Sequence, residues 1–491
     1  MPPPVATIHD IKTIESVPLE RRNLPASTYE AIQQGAAIKS DKIALQFFLQ
    51  GSRFDDPLFY TYRDLLGLII QTANMFHDLG IGKDDVVSMI LPNLPQAFFT
   101  IWGAEAAGIA NPINPMLEPR VMVDIMNAVG TKLLVTLAPF PGSDIWPKVA
   151  SIADQVPTLQ TILRVNLANY LRIFDRLAVK WLVARGDKGP KPRAQILDFV
   201  SRSRRYQSES LDSDRQIQPD DIASYFHTGS TTGTPKLVQH THFNELFDAW
   251  SIAETISMTA DKIVFCGLPL SHVNGVIITG LIPWMRGASV VLGPPSGYRD
   301  KGIISNFWRI VDYYKINFFT AVPSIFNALL NVPVEEADIT TLKFAISSAA
   351  PLPEDVFYQF EERANIRILE GYGLTEGACL SSINPLAGER RVGSVGLRLP
   401  YQEMKVVALN GDGNYARDCQ VDETGLVVLR GPNISKGYQA KAGNQSAWID
   451  TGDDRGPWFN TGDLGRQDAQ GYFWLSGPSH ASLADFLDAP R

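Results

Sequence analysis

The segment Tyr225-Phe-His-Thr-Gly-Ser-Thr-Thr-Gly-Thr-Pro-Lys-Leu-Val238 gathers the residue types that hold a phosphate. Thr228, Gly229, Ser230, Thr231, Thr232, Gly233 and Thr234 run to Pro235 and Lys236. Glycine lets backbone N–H groups approach phosphate oxygens, hydroxyls add donors, and lysine neutralises charge. A surface turn favours many of the same residues. Against that reading, strand-like runs enter the loop (Ile222 to His227) and leave it (Leu237 to His240), and a lysine at the exit serves no turn. The spacing is not that of an NTPase P-loop, which needs four residues between its glycines and a lysine directly after the second. Here three residues separate Gly229 from Gly233, and Thr234-Pro235 precede Lys236.

Five further segments carry residue types that could do chemistry. Leu268-Pro-Leu-Ser-His-Val-Asn-Gly275 sets His272 beside Asn274 and Gly275. A lone histidine is more often a hydrogen-bonded core residue than a catalytic one. Ser347-Ser-Ala-Ala-Pro-Leu-Pro353 is a run of small residues before a helix that Pro353 opens. Glu370-Gly-Tyr-Gly-Leu-Thr-Glu376 and Asn460-Thr-Gly-Asp463 each end on a carboxylate. His240-Thr-His242 with Glu245 has metal-ligand types but no further His or Cys nearby, which makes a poor metal set.

The elements that must position these residues alternate in period. Tyr62 to Leu79 is helical by its spacing of Leu65, Leu66, Ile69, Ile70, Ala73 and Phe76, and Gly80 stops it. Val86 to Leu91 and Lys132 to Thr136 read as buried strands, with a helix over Gln96 to Ala107 between them. Another helix is expected from Glu245 to Ile256. Such alternation predicts an α/β class of layered subdomains. From about residue 391 short strands with tight turns predict a small β subdomain, ending in a hairpin that turns at Asp468-Ala-Gln-Gly. Residues 185–215, rich in Lys, Arg and Ser, read as a solvated connector.

Composition sets limits. A net charge of −8 over 491 residues excludes a polyanion such as nucleic acid as the expected partner. Three scattered cysteines show neither disulfide nor metal spacing. The run Val273 to Leu292 is broken by Asn274, Pro283 and Arg286, so a buried helix and strand are expected rather than an integral membrane span. The N-terminus lacks a secretory pattern and the C-terminus a peroxisomal one, so the expected location is cytoplasmic.

Taken in order, these motifs resemble the adenylate-forming superfamily: acyl-CoA synthetases, luciferases and the adenylation domains of peptide synthetases. Leu91-Pro-Asn-Leu-Pro-Gln-Ala, Ala110-Asn-Pro-Ile-Asn-Pro and Phe226-His-Thr-Gly are most similar to fatty-acyl-type CoA synthetases. The loop departs from the family order at Gly229-Ser230 and Leu237. The resemblance implies a large AMP-binding domain over residues 1–477, using ATP and Mg²⁺, with a small carboxylic or fatty acid as substrate and CoA as co-substrate. It implies that residues 228–234 and Lys236 hold phosphates. Ala349, Ala350 and Pro351, with Gly371 and Gly373, would flank adenine, and Tyr372 would stack on it. Thr375 would donate to the α-phosphate, Glu376 would hold the metal, and Asp463 would accept both ribose hydroxyls. His272, with Asn274 and Gly275, would lie near the acyl carboxylate. Lys236, Thr375, Glu376 and His272 are the expected catalytic set.

After Gly477 the sequence stops following the family. Pro478 to Arg491 reads as a divergent tail in place of a small C-terminal domain. The resulting expectation is adenylation with little thioester formation unless a separate C-terminal domain or carrier protein acts in trans. The competing expectation is a remnant that binds nucleotide or acyl ligand without turnover.

Overall fold

The computed structural model describes residues 4–186, 190–228, 236–439 and 447–476. Among these residues three sheets form. One has seven strands, in the order Gln195–Asp198, Thr161–Val165, Leu133–Leu137, Val86–Ile90, Ile109–Pro112, Ile222–His227 and Leu237–Thr241. Its pairings are parallel except the last. A nine-stranded sheet has a parallel centre running from Arg367–Tyr372 to Ile43–Phe47, with antiparallel strands at both edges. The third, six-stranded and wholly antiparallel, is built from residues 403–475. The layered α/β body and the small β part are therefore as the residue periods predict.

Local chemistry explains the boundaries. The helix Tyr62–Asp78 starts where the Thr61 hydroxyl accepts from the Asp64 amide and the Asp64 carboxylate accepts from the Thr61 amide. The helix Pro95–Ala107 is buried on every side, as an all-round apolar sequence requires. Its Phe98 ring packs edge-on against Trp284, 4.6 Å between centroids. One apolar cluster then takes in Val87 and Leu134 of the seven-stranded sheet with Val264 and Ile346 of the nine-stranded one.

The structure corrects several boundaries. The helix expected from Glu245 begins at His242, because Thr241 and Asn244 form a reciprocal cap. Pro353 stands just before the helix Glu354–Ala364 rather than inside it. The expected helix and strand within Val273–Leu292 are a π-helix, Asn274–Leu281, a short α-helix, Ile282–Met285, and the strand Ser289–Leu292. The 185–215 stretch is more than a connector. Gln195–Asp198 is an edge strand, and Asp198 caps a short helix, Phe199–Ser203, by accepting from the Ser201 amide. No helix among the described residues is long and apolar enough to cross a membrane.

Candidate active site

In open parallel sheets, ligands collect beyond the carboxyl ends of the strands. The expected site residues follow that rule. Thr228 ends the strand Ile222–His227, His272 lies in the loop after Ile263–Cys266, Ala349 and Ala350 follow Phe344–Ser347, and Tyr372 closes Arg367–Tyr372. Asp463 comes from the antiparallel sheet. The three sheets meet in one apolar cluster that joins Val238, Tyr372, Tyr438 and Phe459.

On the nucleotide-motif side, the base of the loop is closed by the Thr228 amide donating to the Lys236 carbonyl at 2.9 Å. Gly229, Ser230, Thr231, Thr232, Gly233 and Thr234 lie outside the described residues. Lys236 is exposed, and its Nζ stands 4.7 Å from the centre of the Tyr438 ring. The Tyr438 hydroxyl donates to Glu376 Oε1 at 2.6 Å. Tyr372, buried, donates through its hydroxyl to Asp463 Oδ2 at 2.5 Å. Burial, and after it the Asp463 and Glu376 carboxylates, push the Tyr372 phenol well above its usual range. Lys236, Glu376, Tyr372 and Asp463, distant in sequence, thus converge on one seam.

Backbone chemistry fixes this wall. Asn460–Asp463 forms a bulge inside the long strand Trp458–Gln467, where pairing shifts between Leu426 and Val428. Gly462 takes a positive φ of 77° there, and the Thr461 hydroxyl accepts from the Asp463 amide at 3.0 Å. Gly373 is needed for close approach, since a Cβ on it would lie 1.8 Å from the Cys379 carbonyl oxygen. Gly371 has more room, with 3.2 Å to the Ser382 carbonyl oxygen. Ala349 holds φ at 77°, a left-handed conformation that costs a non-glycine residue about 1–3 kcal/mol. Ala349 and Ala350 are half-buried and Pro351 is exposed.

Thr375 is held from beneath. Its carbonyl accepts from His240 Nε2 at 2.6 Å, and His240 Nδ1 faces Glu245 Oε1 at 3.2 Å. Ser224 also donates to Glu245. Burial, then the charge of Glu245, pushes the Glu105 carboxyl well above the usual carboxylate range. The Thr28 hydroxyl donates to Glu105 Oε2 at 2.5 Å and lies 3.1 Å from His242 Nδ1. His240, His242 and Glu245 are therefore occupied as hydrogen-bonded core groups. Asp248, its carboxyl also raised by burial, accepts from the Leu380 amide at 3.1 Å and braces the same loop.

The other wall carries two imidazoles. His272 Nδ1 accepts from the Asn274 amide at 3.2 Å, and His227 Nε2 accepts from the Asn114 amide at 3.2 Å. Burial pushes both rings down to about 4, and for His272 the nearby His227 adds to the effect. Both are neutral at neutral pH. A neutral ring that accepts at Nδ1 carries its proton on Nε2, so His272 offers an Nε2–H donor. Asn274 donates to Ser348 Oγ at 2.9 Å, while its buried Oδ1 has no partner among the described residues. Gly275 is a packing necessity: a Cβ there would meet the Pro269 carbonyl oxygen at 2.4 Å.

A hard divalent cation prefers carboxylate, phosphate and water oxygens. Glu376 fits as one such ligand. No group of three or more His, Cys, Asp or Glu side chains suited to a metal exists among the described residues, so nucleotide phosphates would have to complete the shell.

Sequence reasoning missed three contributors. Tyr438 lies in Ser435-Lys-Gly-Tyr-Gln439, outside every motif above, and its pairing with Val238 across the sheet edge brings it in. Glu105 had a usable signal, a single acid in an otherwise apolar helix. His227 stood inside the quoted motif but was given no role.

Comparison with known proteins agrees with this architecture. The AMP-binding enzyme family matches residues 32–439, and the chain belongs to that family. It is 34% identical over 482 residues to a marinolic acid–CoA ligase of Pseudoalteromonas sp. (strain SANK 73390), covering 97% of this chain and 69% of the relative. A long-chain-fatty-acid–CoA ligase of Bacillus subtilis (strain 168) is 28% identical, covering 92% of this chain and 77% of the relative. Among solved structures, the anthranilate CoA ligase AuaEII with anthranoyl-AMP superposes with a TM-score of 0.74 at 22% identity, over 93% of this chain and 78% of that one. The N-terminal domain of FACL13 from Mycobacterium tuberculosis gives 0.72 at 22% identity, over 92% of this chain and 100% of that one. These two structures share the fold of the large domain.

Proposed function

We propose that this chain activates a carboxylic acid with ATP and Mg²⁺ as an acyl-adenylate. The observation that carries the reading is the seam where Lys236, Tyr438 and Glu376 stand in series beside the Tyr372–Asp463 pair. It supplies a cation, a metal-ligating carboxylate and a sugar-binding carboxylate where three sheets meet. The relatives named as acid–CoA ligases support the same reaction class.

In the reaction, an acid oxygen attacks the α-phosphorus of ATP, the bond to the bridging oxygen breaks, and pyrophosphate leaves. The acid is already ionised at neutral pH, so no general base is required. The work is positioning and charge stabilisation. Lys236 lies beside the loop base and compensates phosphate charge. Glu376 would hold Mg²⁺, which when bound neutralises charge on the phosphate oxygens. The Thr375 hydroxyl, its backbone clamped by His240, donates to the α-phosphate. Asp463 accepts from the ribose. His272, neutral, donates its Nε2–H to the acid. CoA is the co-substrate of a following thioester step.

ATP–pyrophosphate exchange across an acid panel tests the first step, with hydroxamate trapping to identify the acid. Acyl-CoA, measured by mass with CoA added, reads the second step separately. Tight ATP binding with no exchange for any acid would mean a nucleotide-holding protein without turnover and would overturn the proposal.

A further inference from the structure

Five of the sixteen large apolar side chains that stand exposed among the described residues lie on one helix, Ile173–Gly186. Phe174 is 85% exposed, Ile173 72% and Leu177 59%, with Trp181 and Leu182 about half open. At 100° per residue, Ile173, Leu177 and Trp181 form one row, and Phe174 and Leu182 extend it into a continuous outward stripe. Val179 and Val183, half-buried, lie on the opposite side. Arg176 pins the helix base by donating to the Ala168 and Asn169 carbonyls, each at 3.0 Å. The usual arrangement of a surface helix is thus reversed, with the larger apolar groups facing out.

The sequence that carries this stripe is charged against the molecule. From Arg172 to Arg205 the sequence has ten Lys or Arg and three Asp, in a chain of net charge −8. The Arg172 and Arg193 side chains are mostly in solvent, each in a loose surface ion pair, with Asp56 at 3.6 Å and Asp154 at 3.8 Å, that leaves most of its donors open. An outward apolar stripe with an aromatic residue, flanked by cations, is the pattern of a helix that lies in the plane of a bilayer surface. Fourteen residues span about 21 Å, too short to cross.

We infer that the helix Ile173–Gly186 beds this protein peripherally on an anionic lipid surface, its apolar stripe entering the headgroup boundary and the neighbouring cations meeting lipid phosphates. A second copy of the chain is a poorer occupant. A two-fold interface sets a patch against itself, and here that would oppose cations with cations. This inference is independent of the adenylation reading.

Co-sedimentation of the full chain with vesicles tests it. The protein should bind vesicles of phosphatidylglycerol with phosphatidylcholine, bind phosphatidylcholine alone far less, and lose affinity as salt rises. Phe174→Ser with Leu177→Ser should lower the bound fraction by roughly ten-fold or more, since binding scales with apolar area. Both positions are exposed, so thermal unfolding should be unchanged, which separates lost docking from misfolding. Arg172→Glu with Arg193→Glu should weaken binding to the anionic vesicles selectively. Wild-type protein that ignores anionic vesicles, or serine variants that bind as the wild type does, would overturn the inference. So would sedimentation velocity showing a lipid-free dimer that the serine pair converts to monomer.

Discussion

The two walls of the site handle polar groups differently. On the seam side, Lys236, Glu376 and Asp463 each meet a tyrosine, so each side chain has a partner that orients it without cancelling its charge. On the opposite wall, His227 and His272 each accept one backbone N–H, and burial keeps both neutral. Under the proposed function the seam would meet a polyanion and the histidines a single carboxylate. The difference makes the seam sensitive to loss of charge and the histidine wall insensitive to pH near neutrality.

The largest effect should come from the seam. Lys236→Ala should slow pyrophosphate exchange by ~10²–10³-fold, the scale of one lost transition-state donor. Thermal unfolding should barely shift, because the side chain is exposed. A large drop in melting temperature with normal exchange would make the residue structural.

Glu370 breaks the simple contrast, being a seam-side carboxyl that keeps its proton up to about neutral pH. Burial raises it from 4.5 to about 7, although it accepts from the Gly393 amide at 2.9 Å. The folded state therefore binds this proton more tightly than the unfolded chain does. Its contribution is complete below pH 4.5 and lost as pH rises through about 7. Urea unfolding at several pH values should show about 3 kcal/mol of stability lost across that window. Glu370→Gln should flatten the dependence, and an equal slope in the variant would assign it to other groups.

Asp463→Ala should weaken nucleotide binding by ~1–3 kcal/mol through lost charge-assisted hydrogen bonds. Calorimetry giving unchanged ATP and AMP affinity would remove the ribose role. Tyr438→Phe should cost less, about 1 kcal/mol in ATP affinity, as it deletes one hydrogen bond to Glu376 and keeps the ring under Lys236. The histidine wall should show the smallest response. Between pH 6 and 8 the exchange rate should have no step due to His272, given its pKa of about 4. A step near pH 6.5 that disappears in His272→Gln would show that the ring titrates in the working range.

The seam was legible in the sequence where backbone and side-chain chemistry share one short segment. The loop of residues 228–236 and Glu370–Glu376 combine glycine with hydroxyl, aromatic or charged groups, and both lie at strand ends as the periods require. Asp463 is named by its motif, but its bulge is not legible there, because a bulge depends on how a partner strand pairs and not on local residue types. Tyr438 was missed for a related reason, since its place is set by a bridge to Val238 formed on folding. The π-helix at Asn274–Leu281 escaped because its apolar run suits any buried helix.

The strand Leu237–Thr241 has a consequence for how this enzyme family member can vary. Its residues alternate, with Val238 in the seam cluster, Leu237 in the main core and His240 under Thr375. Loop length before Lys236 can change without disturbing that alternation, because Thr228 and Lys236 close the base by themselves. A one-residue deletion inside the strand cannot. The ladder could reform with every hydrogen bond intact, yet Gln239 and Thr241 would take the places of Val238 and His240. Insertions should therefore leave the fold intact a few residues from a position where none do, and a deletion scan across residues 228–241, read by thermal unfolding, should change from mild to strongly destabilising at Leu237.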